Sequence, residues 1–331
     1  MRARLLAFFV VSGFLIVAAV TGQVGKASND NSKTRPPLRF KAPQTNYDFG
    51  DSSFVKSYSG GVSAWQEDVE LKAERAIYLS REAEARFYGD AAFKDSLREL
   101  KADTLLYYYD RREALAKGNV EVTEKNRLFR SKWVRYRKDL RLIEAFGGVY
   151  VRDDSVRSTI TGVSAVFNDS TGNGIITGFP VLIREDKAGS FIRITCDDTL
   201  EVERQKKTVR LWQHVIVTKD SLCVVANRAI YNDSLEVVSL YGSPVAHNIF
   251  FYRPEDAVSE IKASCKVSGD TMWVYLKERE VSGVEVIGRA HATTVSTDST
   301  GGMYDESIID SAVMRLRMEE DRISLITAEG T

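Results

Sequence analysis

The side chains suited to chemistry are few in this 331-residue chain, and they are scattered. His214, His247 and His291 are the three histidines, and none stands at the short spacing that lets two imidazoles share a zinc ion. The acidic pairs Asp153–Asp154 and Asp197–Asp198 offer the two carboxylates of a glycoside-cleaving site. They fall in turns or strand starts, however, and recur without order. Cys196, Cys223 and Cys265 are too few and too dispersed for a disulfide framework and read as small buried hydrophobes. No glycine-rich phosphate loop, nucleophile elbow or HExxH helix is present. With 46 basic and 46 acidic residues, no global field favours nucleic acid or an anionic membrane. These observations point away from an enzyme and from a metal or cofactor protein, and predict no catalytic residue and no nucleic-acid partner.

The informative residues are apolar, and they are periodic. A unit of about 30 residues, an approximate spacing characteristic of repeat architectures, opens at Leu71, Leu100, Phe129, Ile160, Ile194, Val224 and Ile261. Two residues later stand Ala73, Ala102, Ser131, Gly162, Cys196, Ala226 and Ala263, so a large side chain is never used there. An aromatic follows at Tyr78, Tyr107, Tyr136, Phe167 and Tyr231, then a glycine at Gly89, Gly118, Gly147, Gly178 and Gly242. Trp212 takes the glycine's place in the fifth copy, and in the seventh an insertion delays the match to Gly288.

After each glycine runs a short alternating segment such as GNVEV or GGVYV, which predicts strands, with the glycine at a bulge or tight bend. Helix formers at Glu82 to Ala85 and Leu97 to Leu106 occupy the slots of clear strands elsewhere, and the shared slot outweighs weak intrinsic propensity. Polar turns are expected at Asp110 to Arg112, Asp169 to Asn173, Arg204 to Lys207 and Asn232 to Ser234.

Arg2 and Arg4 before the uncharged run Leu5 to Val20 read as an export signal over residues 1–22, or as an inner-membrane anchor over 5–20. Residues 23–60, polar and with Pro36, Pro37 and Pro43, read as a linker, and 61–331 as the repeat domain, ending inside a further partial copy.

The unit LKADTLLYYY at Leu100 to Tyr109 with ALAKGNVEV at Ala114 to Val122, and next FGGVYV at Phe146 to Val151, resembles the OstA-like family of lipopolysaccharide transport proteins. The resemblance spans roughly Val69 to Gly330. It implies an all-β, elongated open β-jellyroll whose two antiparallel sheets form a V-shaped groove, built here from about seven repeats. It implies a periplasmic protein that shields lipid A acyl chains on their way to the outer membrane. It also implies partners: lipopolysaccharide, other jellyroll subunits joined end to end by β-augmentation, and inner- and outer-membrane transport complexes.

Carried over slot by slot, the lipid-facing residues are the openers Leu71, Leu100, Phe129, Ile160, Ile194, Val224 and Ile261. To these are added Val120, Val122, Val149, Val151, Leu182 and Ile216 after the glycines. The rival readings are a structural or adhesin-like β-solenoid without lipid cargo and a plug-side domain of the outer-membrane translocon.

Overall fold

The computed structural model describes residues 37–49, 54–67, 69–95, 98–155, 157–168, 170–185, 189, 191–219, 221–232, 234–252, 261–277, 280–297, 303–319 and 322–330. Among them every regular element is a strand and every strand pairing with a stated register is antiparallel. The chain is all-β. The expected signal or anchor at 1–22 lies outside the described residues, and no described helix is long and apolar enough to cross a membrane. The described chain divides into two compact units, one holding residues up to Thr177 apart from 157–158, the other holding 157–158 and the residues from Gly178 onward.

The first unit contains β1 (Arg39–Lys41), β2 (Gln44–Phe49), β3 (Phe54–Gln66), β4 (Val69–Leu79), β5 (Glu84–Lys94) and β6 (Glu99–Tyr108). It continues with β7 (Glu113–Glu124), β8 (Arg127–Arg137), β9 (Leu142–Asp153), β10 (Ser158–Asn168, all but its first residue) and β11 (Gly174–Thr177). From β3 onward each strand pairs with the next. Of the stretches rich in helix formers, Glu82 to Ala85 is turn and strand and Glu99 to Leu106 is strand, as their repeat slots require.

The linker expectation needs correction, because strands occupy Arg39–Lys41, Gln44–Phe49 and Phe54 onward. Phe40 stacks on Tyr58 at 4.5 Å and on Phe87 at 6.1 Å between ring centroids, so this stretch contributes to the core. Pro37 and Pro43 flank β1, a short strand whose one registered partner is β3. A proline beside such a strand takes no ladder donor from the sheet.

Strands of the repeat are bent at their middle by a bulge. Between β7 and β8 the register runs Lys117↔Trp133 and then Val120↔Ser131, so β7 holds one residue more than its partner. The extra residue is accommodated by two consecutive positive φ angles, 75° at Gly118 and 46° at Asn119. A Cβ on Gly118 would lie 2.1 Å from the Asp103 carboxylate, which accepts hydrogen bonds from Asn119 Nδ2 at 3.1 and 3.2 Å. The small residue two after each opener lies in this crossing: Ala73 faces Val62, Ala102 faces Ala91, and Ser131 faces Val120.

The second unit contains β12 (Val181–Glu185), β13 (Phe191–Thr195), β14 (Thr199–Glu203), β15 (Thr208–Lys219), β16 (Leu222–Asn232) and β17 (Val237–Tyr241). After these come β18 (Val245–Tyr252), β19 (Ile261–Ser268), β20 (Thr271–Lys277), β21 (Glu280–Thr297), β22 (Met303–Glu319) and β23 (Arg322–Glu329). Here several repeat strands are cut in two at the bend, as between β17 and β18 across Gly242 to Pro244. The halves then pair with opposite ends of one continuous neighbour: β14 with Thr208 to Trp212 of β15, and β13 with Ile216 to Lys219.

Two sequence alignments shift. Trp212 does not occupy the glycine slot: the positive-φ pair of the fifth copy is Gln213 (63°) and His214 (45°), one residue later. The bulge survives without glycine, and His214 pairs with Asp197 at 3.3 Å, as Asn119 does with Asp103. In the seventh copy the opener is Val267 in place of Ile261. Val267 faces Ala246 and Ala292, and Asp270, three residues on, lies beneath Gly288 and pairs with Arg289. The insertion lengthens the β18–β19 hairpin, where Ile261 pairs with Tyr252 far from the bend.

An L-residue in the left-handed region costs about 1–2 kcal/mol. Gly118→Ala is therefore expected to lower stability by about that amount, with Asp103 forced aside. Gln213→Gly relieves the same cost while returning roughly 0.4–1 kcal/mol through the freer unfolded chain, for a net gain of several tenths. Urea unfolding of both variants checks the opposite signs.

Candidate functional site

At each bend the glycine strand keeps its alternation, as with Ala116 and Val120 of β7, while its neighbour is one residue shorter, as with Ser131 and Val134 of β8, and inward residues face inward residues on both sides of the bend. In the first unit this produces two apolar rows. The first runs through Ala64, Leu71, Phe93, Leu100, Val122, Phe129 and Val151, each facing the next across a strand pair. The second, on the other half of the same strands, runs through Tyr58, Ala76, Phe87, Leu105, Ala116, Val134 and Ala145.

Side chains of both rows line one interior cavity of about 90 Å3. Its walls are Phe93, Leu100, Val122, Phe129 and Val151 on one side, with Leu105, Val134, Ile143 and Phe167 among those on the other. Phe129 and Phe167 meet edge to face across it, with centroids 6.4 Å apart. The second row is closed: Phe87, Leu105 and Ala145 are fully buried. In the first row Phe93, Leu100, Val122 and Phe129 are only half-buried, so the row is loose over its middle.

The apolar rungs end in charge. One step beyond the Phe129–Val151 rung stands the pair Arg127–Asp153, with Arg127 Nε donating to Asp153 at 2.7 Å, and Asp95, Arg98 and Glu124 complete this rim. Arg98 lies 5.8 Å from the centre of the Tyr136 ring. Burial pushes the Asp153 carboxyl up, but hydrogen bonds from Arg127 and from the hydroxyl and backbone amide of Ser155 outweigh it, and the group is held below the ordinary carboxylate range.

Leu71, Leu100, Val122, Phe129 and Val151 thus share one row of the first unit. Val120 and Val149 are buried next to it at the bulge, both facing Ser131, and Ile160 is fully buried. In the second unit Leu182, Ile194 and Val224 belong to a corresponding row with Val217, Ala246, Val267, Ala292 and Ile309. Leu182, Ile194 and Val224 are buried there, and so is the companion row through Leu200, Leu211, Ala229, Leu240, Met272, Val286 and Met314.

Ile216 is a correction. It faces Thr195 and Val225 on the opposite side of β15, while Val215 and Val217 point inward. Taking Trp212 for the glycine moves the count by one residue, and with a period of two that exchanges the faces. Ile261 does not join the row, and its side chain lies outside the described ones. Phe93 and Leu105 were missed. Phe93 stands four residues after Gly89, the slot of Val122 after Gly118 and Val151 after Gly147, so the pattern contained it.

No family model matches this chain, and no curated protein sequence matches it. Among solved structures, LptH of Pseudomonas aeruginosa is similar with a TM-score of 0.30 and 15% identity over 33% of this chain and 82% of that one. That protein is described as the LptA-homologous periplasmic component of the conserved lipopolysaccharide transport device. A likeness of this size is too slight to argue from.

The Arg127–Asp153 pair makes a pH-dependent contribution of known sign. The folded carboxyl is depressed, so its stabilisation is complete above the unfolded value of about 3.9 and is lost as pH falls through the lower folded one. Asp153→Asn should cost about 1.5–3 kcal/mol at pH 7. The gap to the parent chain should shrink on acidification below about pH 4, as urea midpoints measured at both pH values would show.

Proposed function

We propose that this chain is an exported lipid-handling protein that holds the acyl chains of lipopolysaccharide against the apolar rows of its first unit. The observation that carries this reading is the cavity bounded by half-buried Phe93, Leu100, Val122 and Phe129 on one side and a closed apolar row on the other. Each buried methylene contributes about 0.8 kcal/mol, so a row of comparable rungs retains a chain without one deep trap. The existing space is smaller than the roughly 150 Å3 cavity that admits a benzene ring. It holds a short stretch of chain, and a longer one enters as the loose Phe93 and Phe129 side chains turn aside.

Within this reading the protein works in the periplasm, is not an enzyme, and hands its cargo to other subunits of a transport complex through strand-edge pairing. The resemblance of the Leu100–Val122 unit to the OstA-like family supports these finer points. A structural solenoid without cargo is favoured for the second unit alone, where Ile194, Leu240, Met272 and Met314 are all but inaccessible.

Photo-crosslinking residues at Leu100 and Phe129 should yield lipopolysaccharide adducts well above those from Lys132, which is exposed. Phe129→Asp should weaken lipid binding roughly tenfold or more by placing a charge against acyl chain. Equal adduct yields at all three positions would sink the proposal.

A further inference from the structure

The outward face of the second unit carries a pocket that an apolar interior does not require. Strand register sets Thr199, Trp212, Arg228, Tyr241 and Thr271 in one row across β14, β15, β16, β17 and β20. Each is one residue from the buried row of Leu200, Leu211, Ala229, Leu240 and Met272, and therefore on the other side of the sheet. The Arg228 guanidinium lies 5.2 Å from the Trp212 ring centre and 4.5 Å from that of Tyr241. It is held between two aromatic neighbours.

What it lacks is an anion. Arg210, Arg289 and Arg315 of the same unit each pair with one or two carboxylates. No carboxylate of a described residue pairs with Arg228, and its Nε is buried without a hydrogen-bond partner. A buried donor left unmade is costly, and a planar fork of donors fixed by ring contacts is preorganised for a carboxylate or phosphate.

Arg228 lines a cavity of about 340 Å3, within the roughly 300–1,000 Å3 of small-molecule sites. The other walls include Trp212, Tyr241, Gln213, Asn227 and Asp198. Asn227 lies directly beneath Gly242, where a Cβ on the glycine would approach its Cβ to 2.5 Å. Gln213 owes its outward position to the glycine-free bulge.

Aromatic surface for C–H groups, two amides and a carboxylate for hydroxyls, and one uncompensated guanidinium together define a ligand. We infer that this pocket binds an anionic sugar, a hexose bearing a phosphate or a carboxylate, with the anion on Arg228 and the hydroxyls on Asn227, Gln213 and Asp198. Asp198 repels a bare anion and so selects ligands that carry hydroxyls at that end. This inference is independent of the lipid reading, since it uses the opposite face of the sheet and the other unit.

The test is calorimetric titration of the whole protein with glucose 6-phosphate, glucuronate, glucose and inorganic phosphate. One of the two charged sugars should bind at least about tenfold more tightly than glucose and than inorganic phosphate, the ratio expected from one charge-assisted contact. Arg228→Lys, which keeps the charge and the ring contacts but not the fork, should weaken binding several-fold while retaining the parent circular dichroism. Arg228→Gln should weaken it roughly tenfold or more. Trp212→Phe should abolish the change in tryptophan emission on binding while leaving the heat. Binding of neither charged sugar, unchanged affinity in a folded Arg228→Lys protein, or inorganic phosphate equal to glucose 6-phosphate would overturn the proposal.

Discussion

The rest of the structure depends on the bulge at the middle of each repeat strand. A regular β-strand assigns side chains to faces by parity, so where two paired strands differ by one residue, one of them must shift its parity for both to keep the same faces. Here the strand with the left-handed pair, such as Gly118–Asn119, keeps its parity through Ala116 and Val120, the neighbouring strand shifts between Ser131 and Val134, and the apolar set stays inward on both sides of the bend. The bend turns the two halves of one strand into the two walls of an interior. Both rows that line the cavity of the first unit come from the same strands.

The same device explains two columns at once. The glycine is needed because a Cβ at Gly118 would collide with Asp103, and Asn119 after it reaches back to that side chain. The small residue two after each opener lies where neighbouring strands cross at the bend, as in the Ala91–Ala102 contact. His214–Asp197 and Arg289–Asp270 repeat the Asn119–Asp103 contact with different chemistry. The conserved element is the geometry, and the interaction filling it varies with sequence.

This is also why some of the fold was legible in sequence and some was not. Strand identity and the row of Leu71, Leu100, Val122, Phe129 and Val151 followed from spacing, because glycine marks those bends. In the fifth copy the bend is built from Gln213 and His214, which carry no turn signature, and Trp212 next to them looked like a substitution. One residue of error put Ile216 on the wrong face. In the seventh copy a longer hairpin moved the opener from Ile261 to Val267, and the marker that survives is Asp270 beneath Gly288. The strands before residue 60 were hidden by proline-rich composition, although Phe40 completes a core aromatic cluster. The pocket around Arg228 was invisible because it depends on which residues face each other across four strand pairs.

The two units spend similar apolar rows differently. In the second, Leu240, Met272, Val286 and Met314 close over one another, and the rows act as an ordinary core. In the first, alternating large and small partners, Phe87 with Ala76 and Val134 with Ala116 and Ala145, close the second row, while the first sets Phe93 and Phe129 beside Leu100 and Val122 and remains loose. Half-buried phenylalanines at a cavity leave apolar area in water that a tighter choice of side chains would have removed, at about 25 cal/mol per Å2. A repeat whose other copies pack closely has the means to remove it. Its retention over several consecutive rungs sets this row apart from the closed rows of the second unit.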